Sequence, residues 1–464
     1  MGKVLMRGQA GKSRVRGCAL ASVSILSLVV LSVAANAQPI SAQPSGGAVV
    51  AGQAQISASG ATTLINQTSA KAIINWQSFS VGQGGSVQFN QPNSSAITLN
   101  RVTGTSASSI DGAIRANGQV WLLNPNGLLF GNGATINVGG LLATTSDIAD
   151  QDFLAGRYNF SSGGGKGSIT NAGTITAGTG GSVVLSSPSV TNKGLIQATS
   201  GHVVLGGTDT FTVDFAGDHL LSYAISPNST GGKVTNSGKL AAAGGTILLT
   251  ARAAAGVQDA VINNTGMVEA TSVRQENGEI ILEADNGTVS NSGTLDASGK
   301  GTGESGGMVK LLGQQVQVAD GAKIDVSGDA GGGTALIGGN LHGAGPEPNA
   351  QNTTVGKASI NASAITSGNG GTVAVYSTGN TQVAAAITAQ GGVVSGNGGM
   401  VETSGHDLGV ATSASVSTVA PRGTPGDWLL DPNNLTIVTS GTGTANGETF
   451  ATTTNDTIDP NTIV

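Results

Sequence analysis

The chain has 464 residues, including 75 glycines, 12 prolines, 3 tryptophans, 3 tyrosines, 8 phenylalanines and one cysteine, with a net charge of −6. Collagen is excluded because it needs glycine at every third position with abundant proline, and a disordered chain is excluded because apolar residues reach 38%. A chain this long that is poor in aromatic residues and rich in small and aliphatic ones favours stacked short strands over one large aromatic core.

Residues 1–37 are predicted to be an export signal and not part of the fold. An apolar stretch at 19–33 is followed by the small-x-small sequence at 35–37. A membrane-spanning helix is disfavoured, because the stretch contains serines and is shorter than the roughly 20 apolar residues that a span needs. The basic head of this segment comprises Lys3, Arg7, Lys12, Arg14 and Arg16.

Removal of this signal changes the charge and the cysteine content. Subtracting its five basic residues from 20 leaves 15 against 26 acidic residues, so the net charge becomes −11. Such a charge argues against nucleic-acid binding. Cys18 lies within the signal, so we expect the mature chain to contain no disulfide.

Asn124–Gly127, with the sequence Asn-Pro-Asn-Gly, is predicted to be a tight turn. Proline suits position i+1 of a turn, and Asn or Gly suits the positive-φ position after it, which Asn126 occupies here. A structural role and a recognition role are compatible for this element, since a recognised element must also be held in shape.

Internal repeats indicate the architecture. SITNAGTITAGTGGSVVLSS at 168–187 aligns with SVTNKGLIQATSGHVVLGG at 189–207, and pairs Ile169 with Val190 and Val183 with Val203. The same frame returns from Val234, Ile262 and Val289. Each unit is predicted to contain a strand, an Asn-x-Gly turn, a strand, a Gly-rich turn and a strand. A period of 20 to 30 residues is typical of stacked units that cannot bury their apolar sides alone.

The spacing within each unit predicts a solenoid of strands. Apolar residues alternate with the strand period, and no segment after the signal shows a convincing helical pattern. Asn at equivalent corners of successive coils can form a hydrogen-bonded ladder along the stack. The fold class is therefore predicted to be all-β, a right-handed parallel β-helix with small hairpin elaborations.

Two apparent chemical motifs are interpreted as structural. GGGKGS at 163–168 lacks the GK[ST] of a phosphate loop and no helix pattern follows it. TDTFTVDFAGDHLL at 208–221 is predicted to be a hairpin and not a metal site, because alternation separates its acidic and histidine side chains. These side chains are Asp209, Asp214, Asp218 and His219. We predict no metal and no cofactor.

An enzyme is the main alternative, because parallel β-helices include polysaccharide-cleaving enzymes. These need carboxylates gathered beside a basic residue on one face. The acidic residues are spread along the sequence, so we predict that the chain is not an enzyme. An enzyme would be favoured if three outward-facing carboxylates lay within reach of one another beside a basic residue.

The C-terminal part follows the last clear units, near Ser367 and Ser395, and contains WLLDP at 428–432. The remaining residues form a Thr-rich stretch in which no cap is recognisable. We expect the chain to be a truncated product or the front part of a longer protein.

The chain resembles the filamentous-haemagglutinin-type exoproteins of two-partner secretion, most closely the high-molecular-weight adhesin subgroup. The N-terminal resemblance rests on INW at 74–76, QPNSSAITLNRVTG at 91–104, NPNG at 124–127, LFG at 129–131 and DFLAGRYNF at 152–160. Similarity continues through the repeats to WLLDP, and so covers nearly the whole chain.

The resemblance implies an exported protein with an adhesin role. It implies a Sec-type signal, passage through the periplasm, and export through a partner outer-membrane β-barrel pore whose POTRA modules recognise the N-terminal domain. The secretion residues that it implies are Asn100, Arg101, Asn124, Pro125, Asn126 and Gly127. A receptor on a host cell or another bacterium would be a further partner, of which these residues carry no signature.

Four segments are expected on this reading. They are a signal peptide at 1–37, a secretion domain at 38–226, a β-helix repeat region at 227–420 and a WLLDP-containing segment at 421–464. The protein is expected to be secreted or held on the bacterial surface. Besides an enzyme, a second alternative is the delivery stalk of a contact-dependent toxin.

Overall fold

The computed structural model describes residues 42–432 except 163–165, 215–221, 254–259 and 275. The expected signal at 1–37, residues Asp218 and His219, and positions 433–464 of the last expected segment lie outside the described residues. No helix in the described part combines the length and apolarity that a membrane span needs.

Strands are nearly the only regular secondary structure in the described part of the chain. The first are β1 (Ala48–Ala51), β2 (Ala54–Ser59), β3 (Thr62–Gln67), β4 (Lys71–Trp76), β5 (Ser86–Asn90), β6 (Ile97–Val102), β7 (Ser108–Ile110), β8 (Ala113–Ala116), β9 (Gln119–Leu123) and β10 (Leu128–Phe130). They continue as β11 (Thr135–Val138), β12 (Gly140–Thr144), β13 (Tyr158–Phe160), β14 (Ile169–Asn171), β15 (Thr174–Ala177), β16 (Ser182–Ser187), β17 (Ser189–Asn192), β18 (Leu195–Gln197), β19 (His202–Gly207) and β20 (Phe211–Asp214).

The second half has the same character. Its strands begin with β21 (Ser222–Ile225), β22 (Lys233–Asn236), β23 (Lys239–Ala241), β24 (Thr246–Arg252), β25 (Ala260–Asn264), β26 (Met267–Glu269), β27 (Glu279–Asn291), β28 (Thr294–Asp296), β29 (Met308–Val318) and β30 (Lys323–Asp325). The last are β31 (Thr334–Ile337), β32 (Asn352–Val355), β33 (Ser359–Asn361), β34 (Thr372–Tyr376), β35 (Asn380–Val383), β36 (Ala386–Thr388), β37 (Met400–Gly405), β38 (Asp407–Val410), β39 (Ser415–Ser417) and β40 (Asp427–Pro432).

Parallel pairing stacks these strands into three faces of a β-helix, as predicted. Face 1 contains β4, β6, β9, β12, β16, β19, β24, the first part of β27 and of β29, β31, β34, β37 and β40. Face 2 contains β7, β10, β14, β17, β22, β25, the second part of β27 and of β29, β32, β35 and β38. Face 3 runs from β3 and β5 to β36 and β39.

The register predicted from the repeats is confirmed. Ile169 pairs with Val190 between β14 and β17, and Val183 pairs with Val203 between β16 and β19. The first pair belongs to a buried interior column on face 2, which consists of Ile169, Val190, Val234, Ile262, Val289 and Val316. Such columns bury apolar side chains between stacked coils, which a single coil cannot do by itself.

The predicted asparagine ladder is also confirmed. Five fully buried asparagines are joined by four bonds of 2.7 to 2.8 Å from Nδ2 of one to Oδ1 of the next, at sequence separations of 21, 44, 28 and 27 residues. They are Asn171, Asn192, Asn236, Asn264 and Asn291. The ladder satisfies polar groups that would otherwise be buried without partners.

A layer covers the outer side of face 1 near its N-terminal coils. It consists of α1 (Asp150–Ala155) and an antiparallel sheet of β13, β20 and β21. Of the hairpin predicted at 208–221, β20 lies within that segment, and its antiparallel partner β21 follows the segment at Ser222–Ile225. Helix α1 departs from the expectation that no helix follows the signal, because six residues are too few to show a helical period.

The first coils have an antiparallel edge. β1 pairs antiparallel with β4, and β2 pairs antiparallel with β3. The register of β1 against β4 shifts between Val49 and Ala51, and a bulge in an edge strand is one means by which sheet proteins limit edge-to-edge association.

Candidate functional site

Asn124–Gly127, called here the NPNG turn, connects β9 on face 1 to β10 on face 2. The N–H of Gly127 donates to the carbonyl of Asn124 at 3.0 Å, which closes a four-residue turn with Pro125 at position i+1. The tight turn is present as predicted.

The position of positive φ differs from the expectation. It falls on Gly127, with φ +109°, and not on Asn126. The Oδ1 atom of Asn124 accepts the N–H of Asn126 at 2.9 Å, so a side-chain turn sets the conformation of Asn126. A Cβ on Gly127 would lie 2.9 Å from the carbonyl oxygen of Ser168, so glycine is needed there for space as well as for φ.

Asn124 holds the turn together from inside. Its side chain is fully buried, and its Nδ2 donates to the Ser106 carbonyl and to Ser108 Oγ, both at 3.0 Å. Its Oδ1 accepts from the backbone and the side chain of Asn126. Because these bonds all lie within the chain, Asn124 positions the turn and does not present a surface.

Asn126 is the exposed residue of the NPNG turn, and Pro125 is half-buried beside it. The Nδ2 of Asn126 donates to the Gly104 carbonyl at 2.9 Å, which ties the turn to the preceding coil. The N–H of Gly167 donates to the Pro125 carbonyl at 3.2 Å. The described end of the GGGKGS motif, 166–168, is thus a largely exposed segment without regular structure beside the NPNG turn.

Asn100 and Arg101 are neighbours on β6, but their side chains have different environments and partners. Asn100 is fully buried, accepts from Trp76 Nε1 at 3.0 Å and donates to the Trp121 carbonyl at 3.2 Å. It therefore satisfies buried polar groups of adjacent coils. Its position inside the structure separates it from any surface that a partner contacts in the folded domain.

Arg101 anchors the segment that leads into α1. Its guanidinium bonds Asp147 at 2.8 Å, Asp150 at 2.7 Å and the Ile148 carbonyl at 2.6 Å. Burial disfavours the charged form, but the hydrogen bonds and charges of Asp147 and Asp150 outweigh it and raise the pKa of Arg101. A planar, forked donor suits these three acceptors better than a lysine would.

The structure brings the two predicted sets of residues together. Arg101 is the register partner of Leu123, which immediately precedes the NPNG turn. The bond from Asn126 to Gly104 joins the same two coils on the other side. Arg101 and the NPNG turn therefore form one local unit at the edge of face 1.

Sequence reasoning missed the aromatic layer beside this unit. Trp121 contacts the rings of Phe153, Tyr158 and Phe160 at centroid distances of 5.4, 4.8 and 5.8 Å. Lys71 Nζ donates to the Phe153 carbonyl at 2.9 Å, near the C-terminus of α1. Three aromatic residues within 153–160, in a chain with few of them, are the signal that could have indicated this layer.

The described acidic residues at 208–221 do not converge. Asp209 accepts from the hydroxyls of Thr230 at 3.0 Å and Ser229 at 3.2 Å, whereas Asp214 is exposed on β20. Hydroxyl donors occupy the carboxylate of Asp209 in the way that a structural side chain requires.

A group of charges on face 1 provides part of the observation that would favour an enzyme, since two carboxylates contact one basic residue there. Lys310 Nζ lies 3.0 Å from Glu279 and 2.9 Å from Glu347. Burial, followed by the charges of Glu347 and Asp285, raises the pKa of the nearby Glu283 carboxyl. The acidic residues that looked scattered in the sequence are gathered here by β27, β29 and the loop after β31.

Comparison with known proteins identifies relatives of the chain. A family model for the TPS secretion domain matches residues 40–297. Two proteins from Haemophilus influenzae, each named heme/hemopexin-binding protein, are 34% identical over 319 residues and 32% identical over 301 residues. The matches cover 66% and 59% of this chain but 35% and 32% of those proteins, so the chain spans about a third of the length of the curated relatives it matches.

Among solved structures, the crystal structure of the HMW1 secretion domain from Haemophilus influenzae is similar with a TM-score of 0.72 and 33% sequence identity. The similarity covers 84% of this chain and 100% of that chain.

Proposed function

The chain belongs to the TPS (two-partner secretion) secretion-domain family, and on that premise we propose that the NPNG turn forms part of the surface recognised by a partner pore. TPS exoproteins are exported across the outer membrane to the cell surface or the medium. The proposed route comprises a Sec-type signal at 1–37, the periplasm, and POTRA modules of the pore that bind the N-terminal domain.

The observation that carries this proposal is that the two asparagines of the turn have different roles. Asn124 is fully buried and uses its side chain to hold the loop, whereas Asn126 is exposed. An exposed polar residue held by bonds at 2.9 and 3.0 Å is presented in one conformation. Such a preorganised residue loses little conformational entropy when a partner binds it.

Arg101 and Asn100 support the surface without forming it. Arg101 forms hydrogen bonds to the segment before α1, and Asn100 satisfies buried polar groups inside the same coils. We propose that their contribution to secretion is to hold the NPNG turn and its neighbouring segment in register, and that the pore contacts Pro125, Asn126 and the adjacent segment at 166–168.

The chain provides a matched control for the test. At 226–229 a second turn has Pro227 and exposed Asn228 at the same two positions, and the N–H of Ser229 donates to the Ser226 carbonyl at 3.0 Å. Asn126→Ala and Asn228→Ala thus make the same chemical change in turns of the same form. Export through the cognate pore and binding of the purified chain to its POTRA modules are the two measurements.

We expect Asn126→Ala to weaken POTRA binding about 5- to 30-fold, the range for one important interface residue, and to reduce export correspondingly. Asn228→Ala is expected to leave both unchanged. Equal export by the two variants, or a loss with Asn126→Ala that matches a loss of folding, contradicts the recognition role.

For the exported protein we propose an adhesin role. A solenoid offers an extended surface for binding, which supports the proposal. The names of the two relatives raise heme or hemopexin as alternative ligands. Binding of the purified chain to epithelial cells, to hemopexin and to heme separates these: saturable binding to hemopexin or heme with none to cells contradicts the adhesin role.

A second candidate function is polysaccharide cleavage at the charge group around Lys310. Its support is the raised pKa of the Glu283 carboxyl beside other carboxylates, as a general acid requires. The ion pairs of Lys310 with Glu279 and Glu347 equally suit a structural network. Release of reducing ends from polysaccharides, abolished by Glu283→Gln, would establish it; no release by the parent chain rejects it.

A further inference from the structure

Glu402 on β37 is a fully buried carboxylate that is only half satisfied. Its Oε2 accepts the backbone N–H of His342 at 2.6 Å, but its Oε1 has no hydrogen-bond partner among the residues that the structure describes. Buried ionisable side chains are rarely left in this state, because burial of an unpaired carboxylate is costly unless a cation or a donor compensates for it.

Two further ligand groups lie near the carboxylate of Glu402. One ring nitrogen of His342, one carboxylate oxygen of Asp431 and one of Glu402 all lie within 4.8 Å of one another. The register explains the arrangement: Glu402 pairs with Leu429 and Ser404 pairs with Asp431, so the two carboxylates are on the same side of face 1 in adjacent coils. Ser404 Oγ is a second buried polar atom on that side for which the described part of the chain supplies no partner.

The loop that carries His342 is held in a single shape. Asn349 Nδ2 donates to the Gly343 carbonyl at 2.7 Å, and Asn340 donates from its backbone N–H to Asn349 Oδ1 at 3.1 Å. The backbone of His342 has φ +56°, in the left-handed region. The loop thus places the imidazole over the outer side of face 1 before any ligand binds.

We propose that His342, Glu402 and Asp431 form a binding site for one divalent transition-metal ion, with Zn²⁺ as the favoured ion. One imidazole and two carboxylates are a donor set that zinc accepts, whereas Ca²⁺ and Mg²⁺ prefer oxygen ligands alone. Zinc ligands lie about 2.0 to 2.2 Å from the ion, so the three atoms must move closer together to bind it. The exposed side chains of His342 and Asp431 have the freedom to do so.

The metal joins three separate parts of the chain: the loop at 340–349, β37, and the last described strand, β40. It neutralises Glu402 and links the WLLDP segment to the body of the β-helix through Asp431. The site lies outside residues 40–297, which the secretion-domain model matches, so its failure leaves the proposed export function untouched.

The test is Zn²⁺ binding by the untagged chain, measured by titration calorimetry and by competition with a chromophoric chelator. We expect one saturable site per chain, a rise in thermal midpoint with Zn²⁺ but not with Mg²⁺ or Ca²⁺, and visible absorption bands with Co²⁺. His342→Asn and Asp431→Asn should each weaken Zn²⁺ binding by about 10- to 100-fold or more. Loss of a residue that only supports a metal ligand already has an effect of this size.

Two choices keep the result interpretable. Asparagine tolerates the left-handed backbone of position 342, so His342→Asn should fold, as circular dichroism can check. His406→Ala is the matched control, since His406 is another exposed histidine beside a carboxylate, 3.3 Å from Asp407. Absence of a saturable site in the parent, or equal binding by His342→Asn and His406→Ala, overturns the proposal.

Discussion

The Nδ2 atom of Asn192 lies 2.8 Å from the Oδ1 atom of Asn236, although 44 residues separate them in sequence. The hairpin of β20 and β21 is inserted between them, and the ladder continues past it without a break. The buried corner of the coil therefore keeps the same geometry on both sides of the hairpin, which covers face 1.

The middle of this ladder should be more sensitive than its end. Asn236→Ala removes two rungs and leaves both Asn192 Nδ2 and Asn264 Oδ1 without these partners, so we expect the free energy of unfolding to fall by about 2 to 4 kcal/mol. Asn291→Ala removes one rung and should lower it by about half as much. Urea unfolding followed by circular dichroism measures both; equal losses would contradict the ladder as an energetic unit.

Arg101 should matter more than the nearby Arg157. Arg101→Met breaks charge-assisted bonds to Asp147 and Asp150 in a half-buried setting, so we expect a loss of about 1.5 to 3 kcal/mol and faster proteolysis within 145–162. Arg157→Met breaks an exposed pair with Asp152 and should cost at most about 1 kcal/mol.

Arg101→Lys tests the geometry of the same site. We expect intermediate stability, because an ammonium group keeps the charge but cannot reproduce the forked bonds to three acceptors. Full recovery by lysine in urea unfolding would show that charge alone accounts for the effect of Arg101.

Asp325 should give a pH-dependent contribution to stability. Its burial alone would raise the pKa, but hydrogen bonds from Lys300, at 2.7 Å, and from Ser327 outweigh this and lower the pKa below 3.8. The contribution is therefore present above the unfolded-state pKa and lost as the pH falls through the folded-state value. The difference in urea midpoint between the parent and Asp325→Asn should narrow from about pH 5 to about pH 3.

Lys300→Met is the companion variant, because Lys300 makes the strongest contribution that lowers the pKa of Asp325. We expect it to reduce the pH dependence that Asp325→Asn reveals. A gap between parent and Asp325→Asn that stays constant over this pH range would show that the carboxylate is not linked to folding.

Asn124→Ala should affect folding and export together, unlike Asn126→Ala. It removes the buried acceptor of Asn126 and the donor to Ser106 and Ser108, so we expect a loss of about 2 to 4 kcal/mol. Refolding by circular dichroism and translocation through the pore should fall in step. Normal folding with failed export would place Asn124 in the recognition surface instead.

The β-helix and its register could be read from the sequence because both are repeated, local properties. Alternation within a strand selects the residues that face inward, and the recurring Asn and Gly positions mark corners that few other residues allow. Thus Ile169 opposite Val190 and the ladder from Asn171 to Asn291 follow from aligning the units. The NPNG turn followed from proline and glycine preferences, although positive φ falls one residue later than expected.

The outer side of face 1 was decided only by tertiary structure. Its residues are not constrained by the repeat, and their partners lie far along the chain: Arg101 binds Asp147 across 46 residues, and Glu402 accepts from His342 across 60. Stacking of coils a few ångströms apart brings such residues together, as it does Lys310 with Glu347. A sequence therefore reveals the repeated interior of a solenoid, while the chemistry of its outer surface depends on which coils and loops the fold makes neighbours.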